Sequence, residues 1–295
     1  MKKLIIASLC VFALFNVLMA QETKKETKKD FSDILPQKGQ FSLGMDMANF
    51  IRFIGNSNSA NGTFAFPNYN MVTSSQQSIM FNPTLFGKYF LTDKSAVRLR
   101  LGIGINNDTR RQFIYDDVAN LSNPLANNWL TEAQTVDVMK EYNTQVELGI
   151  GYEYRRTLWR VQGYAGAEVF AAYVFHKEYY KRGNAMSFTN QTPTTFDFTT
   201  GVVGNPAIRI MEVRGGNAIN YGGAIFTGAD LFLSKNISIG AEFDLFIFGT
   251  YTTEEVGIGE TWKLDQAYVA ERKLTPVNTG FDIQPGGFFN LNIYF

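Results

Sequence analysis

"VRLRLGIGIN" (residues 97–106) alternates without a break. Val97, Leu99, Leu101, Ile103 and Ile105 fall on one parity, and Arg98, Arg100, Gly102, Gly104 and Asn106 on the other. A period of two is the strand period, and a strand sends these two sets to opposite faces. One face is aliphatic throughout and the other is small, polar or charged. Which of the two points inward decides the fold.

The same alternation recurs seven more times. Phe41, Leu43, Met45, Met47 and Ile51 oppose Ser42, Gly44, Asp46, Ala48 and Arg52. Ile79, Phe81, Leu85, Tyr89 and Leu91 oppose Asn82, Thr84 and Lys88, with Pro83 marking an end or a bulge. Val146, Leu148, Ile150, Tyr152 and Tyr154 oppose Gln145, Glu147, Gly149, Gly151 and Glu153. Trp159, Val161, Ala165, Ala167, Val169, Tyr173 and Phe175 oppose Arg160, Gln162, Tyr164, Gly166 and Glu168. Further on, Ile219, Tyr221, Ile225, Leu231 and Leu233 lie across from Asn220, Gly222 and Asp230, and Ile237, Ile239, Phe243, Leu245 and Ile247 across from Ser238, Glu242 and Asp244. The eighth segment enters at Phe281 and ends "NLNIYF" (290–295).

Eight is an even number, as closure into an antiparallel up-and-down barrel requires. The links are unequal. "LTDKS", "RRTLW" and "LSKN" are tight, whereas residues 55–77, 107–140, 177–217 and 250–280 form four long connections. Short turns at one end and long loops at the other are the asymmetry of outer-membrane barrels, with the turns periplasmic and the loops extracellular.

Volume decides the inside. An eight-stranded barrel has room for one set of side chains, and the apolar parity supplies five or six large residues per strand. The small and charged parity fits. The expectation is therefore an all-β transmembrane barrel whose apolar face meets lipid. Its lumen holds a charge network of Asp46, Arg52, Lys88, Arg98, Arg100, Glu147, Glu153, Arg160, Glu168, Asp230, Glu242 and Asp244. Charges of both signs in a narrow space of low dielectric must pair, which reads as a plugged interior. Tyr89, Tyr154, Trp159 and Phe295 near the turns, with Phe53, Tyr173, Phe175 and Phe281 near the loops, form the two aromatic girdles.

The first forty residues divide in two. Lys2 and Lys3 followed by the apolar run Leu4 to Leu18 read as a signal peptide over 1–20, and 21–39 as a charged, flexible periplasmic tail before a barrel over 40–295. The only cysteine, Cys10, lies in the signal, so neither disulfides nor thiolate metal sites are expected. With 27 Lys and Arg against 27 Asp and Glu, and two of the lysines in the signal, the charge favours no nucleic-acid partner. One histidine and no mature cysteine leave no case for a metal or another cofactor.

Signal, segment count, loop asymmetry and the terminal "NLNIYF" together resemble the small outer-membrane barrels of Gram-negative bacteria: the transmembrane domain of outer-membrane protein A and its X- and W-type relatives. The resemblance implies residence in the outer membrane with its lipid as surroundings. It also implies that Phe289, Leu291, Ile293 and Phe295 form the strand read by the barrel-assembly machinery during insertion.

Three functions fit that architecture. The first is a non-enzymatic surface or complex-forming protein, contacting a protein or glycan through loop stretches such as "FAFPNYN" (64–70), "NNWL" (127–130), "HKEYY" (176–180) and "ETWKL" (260–264), because aromatics give large contact area at low entropy cost. The second is a small pore running past Arg98 and Arg100 opposite Glu147 and Glu242. The third is an outer-leaflet lipid-modifying enzyme built on His176, for which Ser187 or another loop serine would have to supply the nucleophile. The first is the expected function, with no catalytic residue.

Overall fold

The computed structural model describes residues 34–47, 84–121 and 130–295. The expected signal, most of the tail, Arg52, Phe53 and the first long loop lie outside the described residues.

Eight strands form the barrel: β1 (Phe41–Asp46), β2 (Thr84–Thr92), β3 (Ser95–Tyr115), β4 (Gln134–Leu158), β5 (Val161–Lys181), β9 (Ala218–Ser234), β10 (Ile237–Thr252) and β13 (Asn278–Tyr294). Each pairs antiparallel with the next in that order, β5 with β9 and β10 with β13, and β13 closes onto β1. The closure is in register from Ser42↔Tyr294 to Asp46↔Asn290. It continues through Phe295, whose N–H donates to the Phe41 carbonyl at 2.9 Å. The final residue is thus a ladder residue, which answers the unpaired-edge problem of an open sheet.

The parity predicted from sequence is the parity of burial. Along β3, Arg98, Arg100, Gly102 and Gly104 are buried while Leu99, Ile103 and Ile105 are exposed. An exposed aliphatic stripe on every wall is unstable in water and suits hydrocarbon. Three two-residue turns join β2 to β3, β4 to β5 and β9 to β10. In the second, Trp159 takes φ 61°, a left-handed conformation found at the first position of two-residue hairpin turns.

The long connections are not irregular. β3 and β4 stay paired far above the apolar band, from Asn107↔Tyr142 to Tyr115↔Gln134. β5 leaves β9 after Val174↔Ala218 and pairs instead with β8 (Ile208–Gly215), from Lys177↔Arg214 to Tyr179↔Glu212. β11 (Glu255–Lys263) joins β8, and β12 (Gln266–Thr275) joins β11. A short helix α1 (Asp117–Leu121) and the hairpin of β6 (Thr195–Asp197) with β7 (Val202–Gly204) complete the loops. Loops 107–140, 177–217 and 250–280 were expected without strands. They carry a platform of β3, β4, β5, β8, β11 and β12 at the end opposite the tight turns, because beyond the apolar band neither face must be apolar and the sequence signature of a strand disappears.

Residues 34–39 were expected within the flexible tail, but they close the turn end of the barrel. Ile34 and Leu35 pack on Phe90, Ala96, Phe232 and Tyr294, and the Gly39 N–H donates to the Phe90 carbonyl at 2.8 Å. Three successive apolar residues, Ile34, Leu35 and Pro36, provide the hydrophobic face that the preceding charged stretch lacks.

Candidate functional site

Two regions carry the polar chemistry, the lumen and the platform. In the lumen, Arg98 and Arg100 rise from β3, Glu147 and Glu153 from β4, Glu168 from β5 and Glu242 from β10, all on inward parity. Arg98 Nε lies 3.1 Å from Glu168 Oε2 and its Nη1 2.9 Å from Glu242 Oε1. Arg100 Nη2 meets Glu147 Oε1 at 2.7 Å and Glu168 Oε1 at 2.6 Å. Lys88 Nζ reaches Glu153 Oε2 at 3.2 Å. Asp46 accepts the Phe289 N–H at 3.3 Å. Asp230 and Asp244 are fully buried, and the Asp244 oxygens receive no hydrogen bond.

Arg160 was expected on the inward face of the fifth segment. β4 continues in register four residues past Tyr154, so Arg160 falls in the turn and Arg155 takes the inward position. Arg155 Nε lies 2.7 Å from Glu153 Oε1 and Nη2 2.6 Å from Asp230 Oδ2, and it donates to Gln162 Oε1. Inward parity runs unbroken from Glu153 to Arg155, and that was the available signal.

Aromatics on the inward parity were the larger omission. Phe86, Phe170, Phe246, Phe248 and Phe288 form one buried layer with Ala224. Each guanidinium is held between rings as well as carboxylates: Arg98 Cζ is 3.9 Å from the Phe226 centroid and 5.1 Å from that of Phe86, and Arg100 Cζ is 4.9 Å from Phe246. Cation–π attraction in a desolvated site offsets part of the cost of burying these charges. Glycines opposite make room for the rings. A Cβ on Gly286 would stand 2.6 Å from Phe246 Cε2, one on Gly228 2.6 Å from Tyr164 Cζ, and one on Gly166 would overlap Phe226. Gly166, Gly228 and Gly286 are therefore sockets for inward aromatics, whereas Gly102 and Gly240 make room for Glu147 and Asp230.

The girdle residues Tyr89, Tyr154 and Trp159 are exposed beside the turns, and Tyr173, Phe175 and Phe281 are exposed where the wall meets the platform. On the closing strand Ile293 and Phe295 face outward, and Phe289 and Leu291 are half-buried.

His176 sits at the fork where β5 changes partner. Its backbone N–H donates to Asn217 Oδ1 at 3.1 Å, Nδ1 faces Asn143 Oδ1 at 2.7 Å, and Nε2 lies 3.4 Å from Glu178 Oε1. The Asn143 amide is oriented by its own donation to Glu141 at 2.7 Å, so both ring nitrogens face acceptors and the imidazolium is favoured. The hydrogen bond with Glu178, aided by the charges of Glu178, Glu141 and Glu255, raises the His176 pKa against the opposing effect of burial. Glu178 is held below its ordinary value by the bond to His176 and by Tyr180, whose hydroxyl donates to it at 2.6 Å. Ser187 is engaged elsewhere, its hydroxyl 3.2 Å from Thr189 Oγ1 and accepting the Asn190 N–H at 3.1 Å. The serine–histidine pair an acyl-transfer enzyme would need is not brought together from these two residues.

The platform is tied by buried polar groups that sequence patterning missed. Asp137 accepts from the Gly183 N–H at 2.7 Å, the Phe196 N–H at 2.9 Å and Arg182 Nη1 at 3.3 Å, and Arg182 Nη2 donates to the Ile210 carbonyl at 2.7 Å. Arg209 on β8 pairs with Glu260 on β11. "ETWKL" and "HKEYY" are accordingly strand segments, apart from the hairpin residue Leu264.

No curated protein matches the chain. Among solved structures, the outer-membrane protein OprG from Pseudomonas aeruginosa is similar at 11% identity over 88% of this chain and 98% of that one, with a TM-score of 0.36. That likeness is too low to add to the fold seen in the strand pairing itself. Residues 72–261 match the family described as "Putative OmpA-OmpF-like porin family". That match spans most of the chain, and with the closed eight-stranded barrel it places the protein: the chain belongs to this OmpA-OmpF-like family of outer-membrane β-barrels.

Proposed function

We propose that the protein is a sealed outer-membrane barrel that holds an extracellular β-platform at the cell surface for contact with a partner, and that it neither conducts solutes nor catalyses a reaction. One observation carries the reading: packed side chains fill the lumen. Ile34, Leu35, Phe90, Phe232 and Tyr294 close the turn end, and beyond them the Arg98–Glu168–Glu242 lattice interleaves with the rings of Phe86, Phe170, Phe246, Phe248 and Phe288. Ions would have to part paired charges and packed rings at once. The platform supports the binding role, since its cross-braced strands give a preorganised surface of the kind that loses little entropy on association.

The lumen network, including Asp46, Lys88, Glu147, Glu153, Asp230 and Asp244, is on this reading structural. Phe289, Leu291, Ile293 and Phe295 serve insertion. The family's porin label favours a second reading, a conduit opened by displacement of residues 34–36.

Liposome swelling separates the two. Refolded protein in sugar-loaded vesicles is expected to swell them no faster than protein-free vesicles, and a rate that grows with protein content would overturn the sealed barrel.

A further inference from the structure

β12 is the outer edge of the platform, and every one of its ten residues is exposed. No described strand pairs with its free side. A long unpaired edge is a ready template for another strand, and soluble surfaces ordinarily hide one. The hairpin sets which backbone groups are free. Leu264 and Asp265 both have positive φ, 52° and 58°, the signature of a two-residue turn closed by a hydrogen-bonded pair, here Lys263 and Gln266. Antiparallel ladders alternate. Gln266, Tyr268, Ala270 and Arg272 therefore aim their N–H and C=O at β11, and Ala267, Val269, Glu271 and Lys273 aim theirs outward.

The charges on that outward set are self-complementary. Glu271 and Lys273 are two residues apart, on the same face and of opposite sign. An antiparallel copy of β12 can lie in the register that places Glu271 opposite the partner's Lys273 and Lys273 opposite the partner's Glu271. Val269 then faces the partner's Thr275, and Ala270 faces the partner's Leu274. Lys273 already lies 2.8 Å from Glu254, and Glu271 pairs with Arg214, so the row across the junction would alternate in sign over four charges. The cost is Arg272 opposite the partner's Arg272 on the other face, where both are exposed to water.

Orientation names the setting. Platform strands prolong the barrel strands β3, β4 and β5, so antiparallel pairing at the β12 edge turns the second barrel upside down. Two inverted copies cannot share one membrane with the same topology. We infer that β12 pairs with β12 of a second copy in a facing membrane, making the protein a homophilic tether between outer-membrane surfaces. The inference rests on the platform being the binding surface and supplies its partner.

The test uses refolded full-length protein in dye-labelled vesicles and in vesicles fixed to a surface. Capture is expected only when both carry protein. Glu271→Lys and Lys273→Glu should each reduce self-capture, on the order of tenfold for a loss near 1.4 kcal/mol. Vesicles bearing Glu271→Lys should capture those bearing Lys273→Glu at the wild-type level, because the mixed junction restores both opposite-sign pairs. Val269→Pro removes an outward N–H while sparing the β11 ladder and should abolish capture. No capture between wild-type vesicles would overturn the inference. So would capture by vesicles lacking protein, which would name lipid as the occupant, or a mixed pair that fails to recover. Each of these three results leaves the sealed barrel standing, since swelling is measured on the same vesicles without reference to β12.

Discussion

Arg98 Nη1 lies 2.9 Å from Glu242 Oε2 across the barrel, joining β3 to β10, two strands that share no ladder. The pair is a crossbar, and both side chains are essentially excluded from solvent. Glu242→Gln removes one charge and leaves Arg98 with Glu168 alone, which Arg100 also claims. Breaking a buried pair on one side costs about 3–5 kcal/mol. Urea unfolding of the barrel in vesicles should show a loss of that size. A loss below about 1 kcal/mol, the range of exposed pairs, would mean that the lattice is hydrated.

Gly166 and Gly280 make a matched comparison of inward socket and open position. A Cβ at Gly166 would overlap Phe226 and the Tyr152 carbonyl, whereas one at Gly280 would find its nearest atom, Thr250 Cβ, at 4.0 Å. Gly166→Ala should destabilise the barrel by about 1–3 kcal/mol, as overpacking does, and Gly280→Ala should be neutral or slightly favourable. Equal effects of the two in urea titrations would contradict the socket arrangement.

The fork at His176 should respond to pH with a definite sign. Its pKa is raised above the ordinary 6.5 by the Glu178 hydrogen bond and the surrounding carboxylates. Stabilisation from the imidazolium is therefore complete below that ordinary value and is lost as pH rises through the raised one. An NMR titration of the single imidazole should place its midpoint above 6.5, and Glu178→Gln should lower that midpoint. A wild-type midpoint at or below the ordinary value would show that the pair does not form.

Phe295 makes ladder bonds through its backbone while its side chain points outward into the lipid zone. Phe295→Ala should thus change the stability of refolded protein little, within about 1 kcal/mol after its partial burial is discounted. It should lower the amount inserted in cells strongly if the side chain is read during assembly. Loss of both quantities together would assign Phe295 to packing instead.

Much of this molecule was legible because lipid is a strict solvent. All eight wall segments, from Phe41 to Phe295, obey one alternation, and even the closure of Tyr294 beside Ser42 follows from an even strand count. Arg155 was lost because the segment was ended at Tyr154 while its parity ran on. Phe86, Phe170 and Phe246 went unseen because the inward set was read as small and polar, although inward glycines such as Gly166, Gly228 and Gly286 were places for a ring. β8, β11 and β12 had no readable period, since every residue of β12 meets water and the β8–β11 ladder shifts register between Ile258 and Gly259, so no single apolar face runs along them. The fork at His176 depends on which strand β5 leaves and which it joins, a relation no local pattern encodes.

Single-channel recording across a planar bilayer tests the sealed lumen most directly. Refolded protein at neutral pH should produce no stepwise conductance above that of the bare bilayer, and removal of residues 21–36 should not create it, because the Arg98–Glu168–Glu242 lattice and the phenylalanine layer remain. Reproducible ohmic steps from the full-length wild type would contradict the sealed barrel and return the function to conduction.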